Sequence, residues 1–240
     1  MDYTDIHSHI LCGVDDGAPD LETSLRMLRC AYKDGIRRII LTPHFKEHRH
    51  SVGPESEERR IRELTDILKE EKIPVSLYGG HEILYFSEAA AYLEAGRILT
   101  LAGSRYVLVE FLPSADKGYI AAGLYDLLSS GYLPILAHAE RYECLYEYPE
   151  FAKELAGMGI FLQCNAGSIA GKAGHEAKKF CFRLLSESLV SFAATDAHDA
   201  KRRAPKMDFA RRYVERHFGK ETAERIFFYN PFRILRDEYL

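Results

Sequence analysis

Tyr3-Thr4-Asp5-Ile6-His7-Ser8-His9 opens the chain with a β-rich run that ends in two histidines one residue apart. In an extended backbone side chains alternate with period two, so His7 and His9 point to the same face. The construction recurs six more times. Arg38–Thr42 precedes His44, Val75–Tyr78 precedes Glu82, and Tyr106–Phe111 contains Glu110. Leu133–Ala137 precedes His138, Ile160–Cys164 precedes Asn165, and Leu189–Ala194 precedes Asp196 and His198. Every run delivers a nitrogen or oxygen ligand type at its C-terminal end.

Ile39-Ile40-Leu41 and Val107-Leu108-Val109 are apolar throughout, which suits strands covered on both faces in a parallel sheet wrapped by helices. Helical patterns separate the runs. Asp20 to Asp34 places Leu21, Leu25, Leu28 and Tyr32 on one stripe and stops at Gly35. Arg59 to Lys72 repeats the idea with Ile61, Leu64, Ile67 and Leu68, and Ser87 is placed to cap a helix over Glu88–Glu94. Further helices are predicted over 120–129, 150–156, 175–186, 205–218 and 221–228. This alternation predicts an α/β fold, with a parallel barrel as the leading architecture and an open doubly wound sheet as the second. With no linker, repeat or low-complexity tract, 1–240 reads as a single domain.

Hydrophobic residues at 47% and charged residues at 28% are the balance of a soluble globular chain. A formal charge of -4 weighs against a nucleic-acid coat or a polybasic membrane binder. The longest uncharged run, Leu155 to Gly171, carries Gln163, Asn165 and four glycines, so no membrane insertion is expected. The first residues lack the basic start and apolar core of a signal peptide, which makes the cytoplasm the expected location. Five cysteines (Cys12, Cys30, Cys144, Cys164 and Cys181) without a C-x-x-C pair read as reduced thiols.

A single histidine at a strand edge is more often an isolated polar residue than a ligand. Seven strands ending in this way reverse that balance. His and carboxylate bind divalent transition metals, carboxylates can bridge two ions, and parallel barrels build their sites at the strand tips. A cysteine-based phosphatase needs C-x5-R, but Ala18, Ile36, Glu150, Ala170 and Glu187 stand six residues after the cysteines. Asn165 to Lys172 fails the nucleophile elbow at Ala166 and the P-loop by its short glycine spacing, and reads as a loop with Asn165 near the site.

Asp5-Ile6-His7-Ser8-His9 with Val14-Asp15-Asp16-Gly17 resembles the opening motif of the PHP (polymerase and histidinol phosphatase) superfamily. Thr42-Pro43-His44, Gly80-His81-Glu82, Ala137-His138-Ala139-Glu140-Arg141-Tyr142 and Thr195-Asp196-Ala197-His198 resemble its later motifs in the same order. Val14-Asp15-Asp16-Gly17 and Ala137-His138-Ala139-Glu140-Arg141-Tyr142 are most similar to the CpsB/CapC branch, the metal-dependent tyrosine-protein phosphatases of bacterial capsule and exopolysaccharide systems. The resemblance implies a distorted (β/α)7 barrel with its active site at the C-terminal strand ends. It implies three divalent metal ions, manganese ahead of iron, zinc or cobalt. His7, His9 and Asp196 would hold one, with Glu82 bridging to a second completed by Glu110 and His138. Asp16, His44 and His198 would hold the third. His81, adjacent to Glu82 on a strand, is expected to face away into a core or edge role.

The implied reaction is hydrolysis of phosphotyrosine by metal-bound hydroxide, with no covalent phosphoenzyme and with His44 or His198 assisting through water. Arg141, three residues after His138, and Arg203, five after His198, are placed to clamp the phosphate with planar forks. Lys201 and Arg202 read as surface charges. The implied partner is a tyrosine-phosphorylated protein, a bacterial tyrosine kinase of polysaccharide synthesis, with the oligomeric state open. The stretch 45–54 reads either as a lip over the site or as a solvated loop. Tyr85, Phe86, Phe111 and Tyr119 read either as a pocket for a phenyl ring or as core. The rival readings are another PHP phosphoesterase, acting on histidinol phosphate or small nucleotides, and a non-catalytic metal-binding regulatory module.

Overall fold

The computed structural model describes residues 2–47 and 53–240. Among these residues the strands are β1 (Tyr3–Asp5), β2 (Ile36–Leu41), β3 (His44–Phe45), β4 (Ser76–Gly79) and β5 (Glu82–Leu84). They continue as β6 (Tyr106–Glu110), β7 (Leu133–Leu136), β8 (Phe161–Asn165) and β9 (Val190–Ala194). Every pairing is parallel. One sheet has the order β1-β2-β4 and the other β3-β5-β6-β7-β8-β9.

All seven expected runs are strands, and the two extra ones arise where a run breaks and resumes. β2 stops at Thr42-Pro43, where proline offers no N–H to a ladder, and the chain resumes as β3. β4 stops before Gly80-His81 and resumes as β5. A Cβ at Gly80 would lie 2.9 Å from Leu101 and 3.1 Å from Ile40, so the crossing needs the missing side chain. β2 pairs with β4, and β3 pairs with β5, so the same two segments serve both sheets in turn. The breaks carry His44 and Glu82 into the second sheet, directly paired with each other, with Leu84 paired to Glu110. On the other flank an isolated parallel bridge joins Ser8 to Ala197, and the His9 N–H donates to Ala197 O at 2.8 Å.

Ile39, Leu41, Val107 and Val109 pack in one apolar cluster with the helices. Ile40 and Leu108, the alternate positions, pack in a second with Ile6, Ile135 and Phe192. Both faces of these strands are therefore covered, as their unbroken apolar runs require. The helix Leu21–Asp34 is capped by the Asp20 side chain, which accepts the Thr23 N–H at 2.8 Å, and ends at Gly35 with φ 99°.

One helix expectation needs correction. Ser87 is no cap, because its hydroxyl donates to the neighbouring Glu88 carboxylate and the helix Ala89–Glu94 starts without a side-chain cap. The helices expected over 205–218 and 221–228 are present as the stretch Asp208–Glu224, divided at Gly219 (φ 86°), with the second running on into a π-helical turn at Arg225–Tyr229. No helix among the described residues is long and apolar enough to cross a membrane.

Candidate metal centre

The chain leaves β1 as His7-Ser8-His9 and leaves β9 as Thr195-Asp196-Ala197-His198, and Asp5 locks the two exits together. Its carboxylate accepts the Thr195 N–H at 3.0 Å and the Thr195 hydroxyl at 2.5 Å. Burial raises this carboxyl to about 6 despite those bonds. Asp196 after β9 and His138 after β7 both take left-handed backbone, with φ 51° and 34°. Residues with a Cβ seldom sit there, and such strain concentrates at functional sites.

Three groups of ligand types overlap, each with its ligand atoms within 4.8 Å of one another: His7, His9 and Glu82; His44, Glu82 and Glu110; and His9, Asp16, His44 and His198. In the first, Glu82 Oε2 is 3.2 Å from both His7 Nε2 and His9 Nε2. Asp196 Oδ1 lies 3.6 Å from His7 Nε2 and 3.5 Å from His9 Nε2. In the second, His44 Nδ1 is 3.0 Å from Glu82 and 2.9 Å from Glu110, while His138 Nε2 is 2.8 Å from Glu82 Oε1. In the third, His44 Nε2 and His198 Nε2 are each 3.5 Å from Asp16 Oδ1. Asp16 is 67% exposed while Glu82 is fully buried, so the centre opens to solvent on the Asp16 side.

Outer hydrogen bonds orient the imidazoles. Gln163 Oε1 accepts the His138 N–H at 2.8 Å, which identifies it as an acceptor, and His7 Nδ1 donates to it at 3.1 Å. His9 Nδ1 donates to Asp15 Oδ2 at 2.6 Å, and His198 Nδ1 donates to the Asp196 carbonyl at 3.0 Å. With Nδ1 engaged in all three rings, Nε2 turns inward, the arrangement that second-layer partners impose on metal-binding histidines. His7 Nε2 and His9 Nε2 stand 3.2 Å apart. Glu82 Oε2, buried between three imidazole nitrogens, has no hydrogen bond of proper geometry. Two facing ring nitrogens and an orphaned carboxylate oxygen fit a cation, so the donor set suits hard-to-borderline divalent ions.

The electrostatics agree. Burial pulls His44 and His138 down, but Glu110 and Glu82 outweigh it and lift each to about 9. Burial likewise opposes His9, yet Asp15, Asp196 and Glu82 hold it well above the ordinary imidazole range. His198 goes the other way, to about 4, through burial and the charge on His9. Glu82 is held well below the carboxylate range, its burial overcome by His7, His138 and His44. The site is a concentrated negative field that collects positive charge.

Arg141 Nη2 and Arg203 Nη2 both reach Asp196, the latter at 2.7 Å from Oδ1. Asn165 Nδ2 donates to Asp196 Oδ2 at 2.8 Å, which places Asn165 against the site. Both arginines line a cavity of about 420 Å³ on this flank. On the other flank Tyr85, Phe111 and Tyr119 meet edge to face or tilted and line a cavity of about 310 Å³, whereas Phe86 packs in the core against Phe45. His81 is fully buried and turned from the site. Its Nδ1 accepts the Leu99 N–H at 2.8 Å, and its Nε2 is 2.8 Å from Glu57. Of the stretch 45–54, Phe45 is core and 48–52 lies outside the described residues.

Asp15, Gln163 and Glu140 are the site's neighbours that sequence reading passed over. Gln163 carried a signal, a polar side chain inside the apolar strand Phe161-Leu162-Gln163-Cys164. Glu140 Oε1 accepts the Asn165 N–H at 3.1 Å and forms a buried group with Cys164 and Cys181. The thiol contact with Cys181, and then burial, keep the Cys164 thiol well above its ordinary range.

Residues 3–236 match the family model described as capsular polysaccharide synthesis, CpsB/CapC. The chain is 36% identical over 217 residues to the tyrosine-protein phosphatase YwqE of Bacillus subtilis, covering 90% of this chain and 85% of that one. It is 32% identical over 241 residues to the tyrosine-protein phosphatase CpsB of Streptococcus pneumoniae, covering 98% and 99%. A solved structure from a study of YwqE and CpsB, described as unique metal-dependent tyrosine phosphatases, superposes with a TM-score of 0.92 at 34% identity, covering 98% of this chain and 95% of that one.

Proposed function

We infer the activity from two premises: this chain belongs to the CpsB/CapC family, and its strand ends gather three overlapping groups of metal-ligand types, two of which share Glu82. It is a metal-dependent protein-tyrosine phosphatase, a hydrolase of the capsular polysaccharide synthesis family. The observation that carries the metal requirement is the inward-facing pair of Nε2 atoms on His7 and His9 beside the orphaned Glu82 oxygen.

In our reading three divalent ions are held, the first by His7, His9 and Asp196, the second by Glu110 and His138 with Glu82 shared, and the third by Asp16, His44 and His198. Manganese is the first choice, ahead of iron, zinc and cobalt. Bound divalent ions lower the pKa of a coordinated water towards neutrality and neutralise phosphoryl oxygens. The residues of the chain supply the rest. Arg141 and Arg203 orient the phosphate through their forks, exchanging contacts with Asp196 for contacts with phosphoryl oxygens. His44 and His198, the ring pair facing the exposed Asp16, would act as ligands of the third ion, and their assistance to a departing phenolate would run through water rather than through a ring proton. Phenolate leaves readily, so this assistance contributes less than the clamp.

The remaining proposals concern setting. The two sheets, bridged by the broken strands and by Ser8–Ala197, are read as a distorted (β/α)7 barrel whose interior is the Ile6, Ile40 and Leu108 cluster. The substrate is a tyrosine-phosphorylated protein in the cytoplasm, a kinase of polysaccharide synthesis. Assaying a tyrosine phosphopeptide, histidinol phosphate and a nucleoside monophosphate side by side, with chelation and manganese add-back, tests the reading. The phosphopeptide should be turned over with the highest kcat/KM, only with metal. Preference for histidinol phosphate, or full turnover by protein shown to be metal-free, refutes it.

A further inference from the structure

The cavity lined by Arg141 and Arg203 is larger than a phosphoryl group requires, and the rest of its lining is also cationic. Besides the two arginines it is lined by Lys172, Arg202 and Lys206, against two carboxylates, Asp196 and Glu140. Asp196 is engaged by the two arginines and Asn165, while Glu140 accepts the neutral Asn165 N–H, so five lining cations face two carboxylates. Among the described residues Lys172, Arg202 and Lys206 have no carboxylate partner of their own. The Lys172 ammonium lies 3.7 Å over the Phe209 ring, which forms part of the same lining. Asp199 braces the segment that brings Arg202 and Arg203 to the cavity by accepting the backbone N–H groups of Lys201, Arg202 and Arg203.

In a chain of formal charge -4, three uncompensated cations around one concavity make a local field opposite in sign to the whole. Such fields fix register and favour partners of opposite charge more than they add raw affinity. The two arginines suffice for one phosphate. The outer three have no role in that contact.

We propose that Lys172, Arg202 and Lys206 form a subsite for a second anionic group of the same peptide, a carboxylate or another phosphate flanking the scissile phosphotyrosine. The inference rests on the phosphotyrosine phosphatase reading and adds a substrate preference to it. Ammonium groups on flexible stems suit an anion of variable position, whereas the arginine forks suit the planar contacts of the reacting phosphate.

The test uses the metal-loaded full chain and four substrates: a small aryl phosphate, a phosphotyrosine peptide with neutral flanks, the same peptide with Asp or Glu flanks, and a doubly phosphorylated peptide. Wild type should favour one or both anionic peptides over the neutral one, with the preference shrinking as ionic strength rises. Lys172→Glu with Lys206→Glu should cut kcat/KM for the favoured peptide about tenfold or more, through KM, and change the aryl phosphate and the neutral peptide less than about twofold. Which anionic peptide is hit harder identifies carboxylate or phosphate as the ligand. Lys201→Glu, beside the cavity but not lining it, should have no such effect. Equal kcat/KM for neutral and anionic peptides in wild type, or an equal loss in Lys201→Glu, overturns the subsite and leaves the phosphatase reading intact. Failure of wild type on every phosphotyrosine peptide removes the parent reading, and the subsite with it.

Discussion

Asp15 Oδ2 accepts the Nδ1 proton of His9 at 2.6 Å and, with the same oxygen, the backbone N–H of His44 at 3.0 Å. One carboxylate thus orients a ring expected to bind metal and positions the strand that carries another. Asp15→Ala should leave every proposed ligand in place yet weaken metal affinity about 10- to 100-fold, the usual consequence of losing an outer partner. A competition titration with a chromogenic chelator measures this. Unchanged affinity would show that His9 needs no external orientation.

Arg141 has no lone pair for a metal, whereas Glu82 shares its two oxygens among four imidazoles. Arg141→Ala should keep the metal content and lower kcat/KM roughly 10²- to 10³-fold, as for a lost oxyanion donor. Arg141→Lys should recover little of that, because an ammonium lacks the fork. Glu82→Ala should lose metal and turnover together. Elemental analysis beside kinetics decides, and loss of metal in Arg141→Ala would make Arg141 a support for Asp196 rather than a phosphate clamp.

His44 and His138 bind protons up to about pH 9 when no metal is present. Metal must displace those protons, so affinity should climb with pH towards about 9 and fall as acid competes below it. His198, lowered to about 4, should release none near neutrality. Calorimetry in buffers of different ionisation enthalpy counts the released protons. Affinity that stays flat from about pH 6 to about pH 9 contradicts the assignment of both rings as ligands.

Gly17 follows the Asp15-Asp16 pair, and a Cβ there would fall 2.0 Å from the His9 carbonyl oxygen. Gly17→Ala must push the loop from His9, at a cost of about 1–3 kcal/mol typical of overpacking. Thermal unfolding should show that loss, accompanied by reduced metal content because Asp15 and Asp16 move with the loop. A variant as stable and as metal-rich as wild type would mean that the loop yields freely.

Sequence carried the strands and the gathering of His and carboxylate side chains at their ends because both rest on local signals. Apolar runs such as Val107-Leu108-Val109 state their burial directly, and His or carboxylate at each run's end follows from period two. What stayed hidden was non-local. That Pro43 and Gly80 would divide two runs between two sheets depends on neighbours such as Leu101 and Ile40, which no local pattern names. Gln163 serves His7 and His138 across 156 and 25 positions of chain, and a lone glutamine in a strand does not announce two partners. His81, by contrast, was readable as a core residue from its adjacency to Glu82, since neighbouring side chains on a strand oppose each other.

The left-handed backbone at His138 and Asp196 has an evolutionary consequence. Glycine would occupy either position without the roughly 1–3 kcal/mol of strain that a side chain incurs there. Backbone ease alone would favour glycine at both positions, but glycine would surrender two ligand types together with the Asp196 contacts to Arg141, Arg203 and Asn165 and the His138 contact to Glu82. Their presence as His and Asp marks a compromise struck in favour of chemistry, and the ends of β7 and β9 are where thermostabilising design should leave the chain alone.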